Sequence, residues 1–261
     1  MTISAELERI ARQEEKLRRQ HHREPAQWKI ALESKVPPKI YDNLKSVFAK
    51  VFQMIFEKGT DLIERTYRKE EIEKDFKVRD YAVSLEMNSR NLAVLDVNAQ
   101  LSNLVSLAVS TAEGVGLGAL GIGLPDIVLF VSIILRGCYE TALRYGFPYD
   151  SNDEKWFILH LLAGSLKRGE DWDACNQKID DLILRPFTPT KEQLDDQTRK
   201  TADAFAVDML LTKFIQGLPF VGMVGGAANP YYYRKILGFV RLKYRKRYLI
   251  QKTDTNTAKT R

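Results

Sequence analysis

The apolar residues of this chain are concentrated in its middle, whereas charged residues gather towards both ends. The longest apolar run covers residues 104–135, reads LVSLAVSTAEGVGLGALGIGLPDIVLFVSIIL and contains two charged residues, Glu113 and Asp126. A helix that spans a bilayer needs about 20 predominantly apolar residues, and a carboxylate buried in lipid is costly. The run therefore does not predict one simple membrane-spanning helix.

A proline divides this run into two parts. Pro125 suits the first turn of a helix, and the acidic Asp126 beside it suits the positive end of the helix dipole. We therefore predict a helix that runs from about Pro125 to Tyr145 and stops at Gly146. The same Gly-Leu-Pro step recurs at residues 217–219. The two corners together predict two apolar helical hairpins that pack against each other.

The rest of the chain also shows helical periodicity. Residues 2–23 combine a thin apolar stripe with many charges, and residues 40–55 repeat apolar side chains at helical steps, with a kink or an end at Gly59. Thr190 and Gln193 have the spacing of a capping box. We predict an all-α multi-helix bundle with the two Gly-Leu-Pro hairpins at its centre. Its predicted parts are a charged N-terminal helical arm (1–24), a helical domain (25–250) and a disordered tail (251–261).

Composition indicates the compartment more than the activity. The chain has 40 Lys and Arg against 34 Asp and Glu, a net charge of +6, and such a balance suits anionic lipid or nucleic acid. Cys138 and Cys175 are the two cysteines, too few for a disulfide framework. The N-terminus shows no apolar signal core. We expect the protein to lie in a reducing compartment, on the cytoplasmic side of the cell membrane.

The segment 231–248 is both basic and aromatic. Near a membrane, each Lys or Arg adds about 1 kcal/mol of attraction, and aromatic residues favour the interface. Nucleic acid would use the same charges, but no recognised nucleic-acid motif accompanies them, and a plain surface helix is a further alternative. The residues expected to contact a membrane surface are Arg234, Lys235, Arg241, Lys243, Arg245, Lys246 and Arg247.

Four ionisable residues lie within the apolar stretches: Glu113, Asp126, Arg136 and Glu140. Arg136 and Glu140 are one helical turn apart and can pair. Asp126 can serve the start of its helix, whereas Glu113 has no local partner. The four residues indicate either polar pairing within the bundle or a path for a ligand or ion.

We find no catalytic motif and no metal-binding pattern. Cys138 and His160 could act as nucleophile and base, but both fall in apolar helical patterns, where buried cysteine is common. His21 and His22 are adjacent, so their side chains diverge on a helix, and three histidines do not provide zinc ligands at suitable spacing. The sequence therefore indicates no cofactor, no metal and no assignable catalytic residue.

Two segments resemble a known family, the EcsC protein family. They are GVGLGALGIGLPDIVLFVSIILRGCYETALRYGF and IQGLPFVGMVGGAANPYYYRKILGFVR. The resemblance extends from about residue 40 to residue 248. The elements that carry it are Leu124-Pro125-Asp126, the helix that closes in Tyr145-Gly146, and the Leu218–Gly222 corner with Asn229 and Arg234.

The resemblance implies an association and not a reaction. The family's namesake is encoded beside the two subunits of an EcsA–EcsB-type ABC transporter, and no catalytic residue can be carried over from the family. We therefore expect a non-enzymatic accessory or regulatory protein, attached to the membrane peripherally or by inserted hairpins. Its expected partners are a membrane surface or anionic lipid and ABC transporter subunits. The alternatives are a hydrolase acting on lipid or peptide through an unrecognised site and a soluble helical module that binds an apolar ligand.

Overall fold

A computed structural model describes residues 3–23, 37–86, 91, 125–215 and 230–259, and every regular element in these ranges is helical. This confirms the predicted all-α bundle. The turns of the two predicted hairpins and Glu113 lie outside the described residues. The helices are α1 (Ile3–His21), α2 (Pro38–Met54), a π-helical turn (Ile55–Gly59), α3 (Thr60–Glu64), α4 (Lys69–Leu85), α5 (Pro125–Arg144), α6 (Asn152–Leu166), α7 (Gly169–Leu184), α8 (Lys191–Ile215) and α9 (Pro230–Lys259).

The described part of helix α5 runs from Pro125 to Arg144, and the helix ends before Gly146 as the sequence predicts. Gly146 has a φ of +81°, which glycine adopts without the steric cost that other residues meet. The backbone N–H of Gly146 donates to Leu143 O at 3.0 Å, and that of Phe147 donates to Ala142 O at 2.9 Å. This pair of hydrogen bonds is a Schellman motif, which satisfies carbonyls at the end of the helix.

Two further local signals have the predicted outcome. The backbone N–H of Gln193 donates to Thr190 Oγ1 at 3.3 Å, and the N–H of Thr190 donates to Gln193 Oε1 at 2.9 Å. These reciprocal bonds form the capping box at the start of α8. At the predicted kink, a π-helical turn that ends at Gly59 separates α2 from α3. Such turns insert an extra residue into a helix and redirect it.

The core is centred on α6, which is buried from Phe157 to Leu166 and contacts α7, α8 and α9. Helix α8 also packs against α2. Helix α5 packs against α4 and α9. The ring of Phe205 lies 5.4 Å from that of Phe48 and 6.0 Å from that of Phe130, so three helices meet there. No helix in the described ranges is long and apolar enough to cross a membrane.

Helix α9 continues through Lys259, so the predicted disordered tail is helical up to that residue. Two contacts with α4 lie at or near the start of this stretch. Tyr248 Oη donates to Asp80 Oδ1 at 2.7 Å, and Lys252 Nζ lies 2.6 Å from the same oxygen. The disorder predicted from the polar composition of residues 251–261 stays a prediction for the residues after Lys259.

Candidate functional site

A groove of about 850 Å³ lies between α1 and α9, next to the turn that joins α6 to α7. Its floor includes Phe239, Leu242 and Gly238. None of the described residues that line it is acidic. The basic lining residues are Arg9, Lys16, Arg168, Arg234, Lys235, Arg241 and Arg245. We call this feature the basic groove.

Helical spacing explains why these side chains converge. On α9, residues 234, 238, 241 and 245 follow one another at steps of four, three and four, so they share one helix face. On α1, residues 9, 13, 16 and 20 repeat the same steps. The two helices therefore place two polar faces opposite each other. The groove is built from the two ends of the chain.

The groove brings together four of the seven residues that the sequence predicts at a membrane surface: Arg234, Lys235, Arg241 and Arg245. The other three, Lys243, Lys246 and Arg247, contact carboxylates of neighbouring helices. Sequence reasoning missed the contributions of α1 and of Arg168. The same spacing of polar residues in the first and last helices was the sequence signal that could have predicted these contributions.

Lys243 is fully buried and forms part of an ion-pair network. Its Nζ lies 2.5 Å from Glu14 Oε1 and 2.7 Å from Asp180 Oδ1. Lys246 Nζ lies 2.9 Å from Glu14 Oε2 and 3.0 Å from Asp180 Oδ1. Because a buried ammonium requires paired carboxylates, this network fixes α1 and α7 to α9.

Arg247 is held by α6. Its Nη1 donates to Glu154 Oε2 at 2.7 Å, and its guanidinium lies over the rings of Phe147 and Phe157 at 4.1 and 4.7 Å. Tyr244 Oη donates to Glu154 Oε1 at 2.5 Å. Burial raises the pKa of Glu154, and the charge of Arg247 opposes that effect. These contacts hold α9 against the centre of the bundle.

At one end of the basic groove, two cations share a buried carboxylate. Lys235 Nζ donates to Asp208 Oδ1 at 2.9 Å, and Arg168 Nη2 donates to the same oxygen at 3.2 Å. Asp208 is 2% exposed and does not line the groove. Its other oxygen, Oδ2, is buried and has no hydrogen-bond partner among the described residues.

His21 lies at the same end of the groove. Its Nδ1 lies 2.6 Å from Lys167 O, so the tautomer with hydrogen on Nδ1 donates there, and its ring stacks on Trp172 at 5.1 Å. Burial lowers the pKa of His21 to about 4, and the positive charges of Lys235 and Arg168 act in the same direction. His21 is therefore neutral at pH 7. His22 points elsewhere, with Nε2 2.8 Å from Asp173 Oδ2.

Of the four ionisable residues in apolar stretches, the structure describes one pair. Arg136 Nε donates to Glu140 Oε1 at 2.6 Å, both side chains are 14% exposed, and the guanidinium lies 5.8 Å from the ring centre of Tyr67. Asp126 lies in the first turn of α5. The predicted pairing of Arg136 with Glu140 is therefore present, whereas a path for a ligand or ion stays a prediction.

The candidate nucleophile Cys138 and the candidate base His160 are both buried in helices. Cys138 lies in α5, where burial raises the pKa of its thiol and disfavours the reactive thiolate. His160 lies in α6, with its Nδ1 2.9 Å from Trp156 O. Within the described ranges, no group of His, Cys, Asp and Glu could hold a metal ion. The basic groove is therefore the feature best suited to bind a ligand, and its chemistry is that of an anion site.

The EcsC protein family model matches residues 2–249. The match includes α1, which was predicted as a separate arm, and most of α9, so every residue that lines the basic groove falls within the matched region. No functionally curated protein and no solved structure shows a significant match to the chain. A match over almost the whole length is decisive: this chain belongs to the EcsC protein family.

Proposed function

We propose that this protein attaches peripherally to an anionic membrane surface and that the basic groove is the part that contacts lipid. The observation that carries the proposal is the convergence of seven Lys and Arg side chains on one groove whose described lining contains no acidic residue. Two buried carboxylates, Glu6 and Asp208, pair with some of these cations from behind. The groove therefore keeps an excess of positive charge.

Electrostatics favour the cytoplasmic leaflet as the binding surface. Anionic lipids make that leaflet negative, and each basic residue close to it adds about 1 kcal/mol of attraction. Arg9, Lys16 and Arg234 are exposed at the rim of the groove and can approach lipid without any rearrangement. The attraction decays over a Debye length of about 8 Å, so residues on the far side of the bundle contribute little.

The proposed role at this surface is that of a non-enzymatic accessory or regulator of an ABC transporter. This part of the proposal comes from the family resemblance. Peripheral attachment would bring the protein close to the cytoplasmic parts of such a transporter. Fractionation of cells with a high-pH carbonate wash tests the mode of attachment: the wash releases a peripheral protein and leaves a hairpin-inserted one in the pellet.

A vesicle-binding experiment tests the role of the groove. The rim variant Arg9→Gln/Lys16→Gln/Arg234→Gln is compared with a matched control, Lys191→Gln/Arg199→Gln/Lys200→Gln, whose three side chains are exposed on α8 outside the groove lining. Both variants lower the net charge equally. We expect the rim variant to bind phosphatidylserine vesicles about a hundredfold more weakly than wild type, at about 1 kcal/mol per charge. The control should lose far less.

Salt provides a second measurement on the same samples. Because the proposed attraction is electrostatic, binding of the wild-type protein should weaken steeply as salt is raised from about 0.05 to 0.3 M. Equal losses in the two triple variants would show that net charge, and not the groove, determines binding. Absence of wild-type binding to phosphatidylserine vesicles would remove the proposed function.

A further inference from the structure

We propose that the end of the basic groove beside the turn between α6 and α7 binds a phosphate monoester, with His21, Arg168 and Lys235 around it. We call these three residues the phosphate site. The inference deepens the proposed function, on which it rests, because it names the chemistry of the lipid headgroup. The same chemistry could come from a soluble phosphate ester, and binding to vesicles and to soluble esters separates the two sources.

The two cations of the phosphate site are neighbours with fixed positions. Lys235 Nζ and Arg168 Nη2 bind the same oxygen of Asp208, at 2.9 and 3.2 Å. A planar guanidinium beside an ammonium can donate to two or three oxygens of one phosphate, and such charge-assisted hydrogen bonds are about twice as strong as neutral ones. Two cations and one carboxylate leave a net positive charge, which favours an anion.

Asp208 acts here as a positioning residue. It lies behind the groove, where it is 2% exposed, and its backbone carbonyl accepts a hydrogen bond from Tyr232 Oη at 3.1 Å. Side chains held by a buried carboxylate lose less conformational entropy when a ligand binds. The arrangement therefore presents Lys235 and Arg168 to the groove in orientations that exist before any ligand arrives.

Gly238 keeps the floor of the groove open. A Cβ added at Gly238 would meet no atom within 4 Å, whereas a Cβ added at Gly137 would lie 2.3 Å from the side chain of Leu237. Gly238 lies one helical turn after Lys235, so a side chain at this position would occupy space in the groove beside the phosphate site. The absence of a side chain leaves room for a ligand next to the cations.

His21 provides a spectroscopic reporter. Lys235 and Arg168 add to the effect of burial, which lowers the pKa of His21 to about 4, and Asp208 acts in the opposite direction. A phosphate between these groups would add negative charge and raise the pKa of His21 towards 6.5. His160 is the internal control, because its pKa is also lowered to about 4 by burial and it does not line the groove.

The first experiment is a titration of the full chain, with labelled histidine rings, by inorganic phosphate and by glycerol 3-phosphate. Sodium chloride at matched ionic strength is the control. We expect the ring signals of His21 to move and its pKa to rise, with His160 unchanged. Equal movement of both histidines, or of neither, would overturn the inference. It would also be overturned if an oligonucleotide moved His21 while both phosphates failed to do so.

A substitution that fills the groove without changing its charge provides the second experiment. Gly238→Leu should weaken binding of glycerol 3-phosphate at least about tenfold. The leucine side chain would fill the space in which the phosphate accepts hydrogen bonds from charged groups. Gly238→Ala adds a smaller side chain at the same position and should give a smaller loss than Gly238→Leu. If Gly238→Leu unfolds, Lys235→Gln is the second variant and should give a loss of about tenfold, with the exposed Lys200→Gln as its control. Unchanged affinity in a folded groove variant would overturn the inference.

Vesicles then separate this inference from the proposed function. Phosphatidic acid carries a phosphate monoester, whereas phosphatidylserine carries a diester, and the two vesicle types are matched for surface potential. We expect about tenfold tighter binding to phosphatidic acid, and loss of this preference in Gly238→Leu. Equal binding to both lipids overturns the inference and leaves membrane attachment in place. Binding to soluble phosphate without binding to either vesicle supports the phosphate site and overturns the membrane attachment.

Discussion

Gly146 and Gly238 show that glycine serves two different purposes in this protein. At Gly146 the backbone adopts a φ of +81°, and an added Cβ would lie 2.3 Å from an atom of the Phe76 ring. At Gly238 the backbone is helical and the space beside it is open. The first glycine is required by the fold, whereas the second lines the basic groove. Their substitutions should therefore have opposite effects on stability.

We expect Gly146→Ala to lower the free energy of unfolding by about 1–3 kcal/mol, because alanine is strained at positive φ and its methyl group displaces the Phe76 ring. Gly238→Ala should raise it by up to about 1 kcal/mol, the gain usual for replacing glycine inside a helix. Urea unfolding followed by circular dichroism measures both. Equal changes of the same sign would contradict the assignment of separate roles.

At the scale of elements, α1 shows how a charged helix can be part of the bundle. One face of α1 lines the groove, and another buries Glu6, Ile10 and the partly buried Glu14 against α9 and α7. Glu6 Oε2 accepts a hydrogen bond from Arg245 Nη2 at 2.7 Å. Removing one partner of a buried ion pair is costly, because the other charge stays without compensation. The attachment of α1 should therefore depend on individual carboxylates.

Glu14→Gln should lower the free energy of unfolding by about 1–3 kcal/mol, because Lys243 stays fully buried with one of its two carboxylates removed. Glu8→Gln is the matched control on the same helix. Glu8 is exposed and pairs with the exposed Arg12, so its loss should change stability by less than about 0.5 kcal/mol. Similar costs for the two variants in urea unfolding would show that α1 is not held by these ion pairs.

Local signals predicted the elements better than they predicted the site. Gly146 and the Thr190 capping box mark helix ends through chemistry within a few residues, so these boundaries could be read from the sequence. The two walls of the groove come from opposite ends of the chain, and no local pattern shows that α1 and α9 lie together. Composition identified 231–248 as basic but could not show that Lys243 and Arg247 face carboxylates inside the bundle.

At the scale of the whole molecule, two buried histidines make stability depend on pH. His21 and His160 are held neutral, each with its pKa lowered to about 4 from 6.5. Burial is the main cause for both. For His160, the charges of Lys178, Lys200 and Lys167 add to that effect. Neither ring can take up a proton in the folded state until the solution is well below its ordinary pKa.

Between pH 6.5 and 4 the unfolded chain therefore binds more protons than the folded chain. Stability should fall as pH decreases through this window, by at most about 1.4 kcal/mol per pH unit for each histidine. Glu154 acts in the opposite direction at its lower end, because its pKa is raised by burial and the folded state takes up that proton first. We expect the free energy of unfolding to be lower at pH 5 than at pH 7.

The variant His160→Gln tests this origin of the pH dependence. It removes one of the two histidines whose pKa is lowered by burial, so the slope of unfolding free energy between pH 5 and 6.5 should decrease while the difference from wild type stays constant between pH 7 and 8. An unchanged slope would assign the acid sensitivity to other groups.

The measurements require a buffer without phosphate. If phosphate binds at the groove, it raises the pKa of His21 in the folded state and removes part of the same slope, so a flatter profile of the wild-type protein in phosphate than in acetate would connect the two effects.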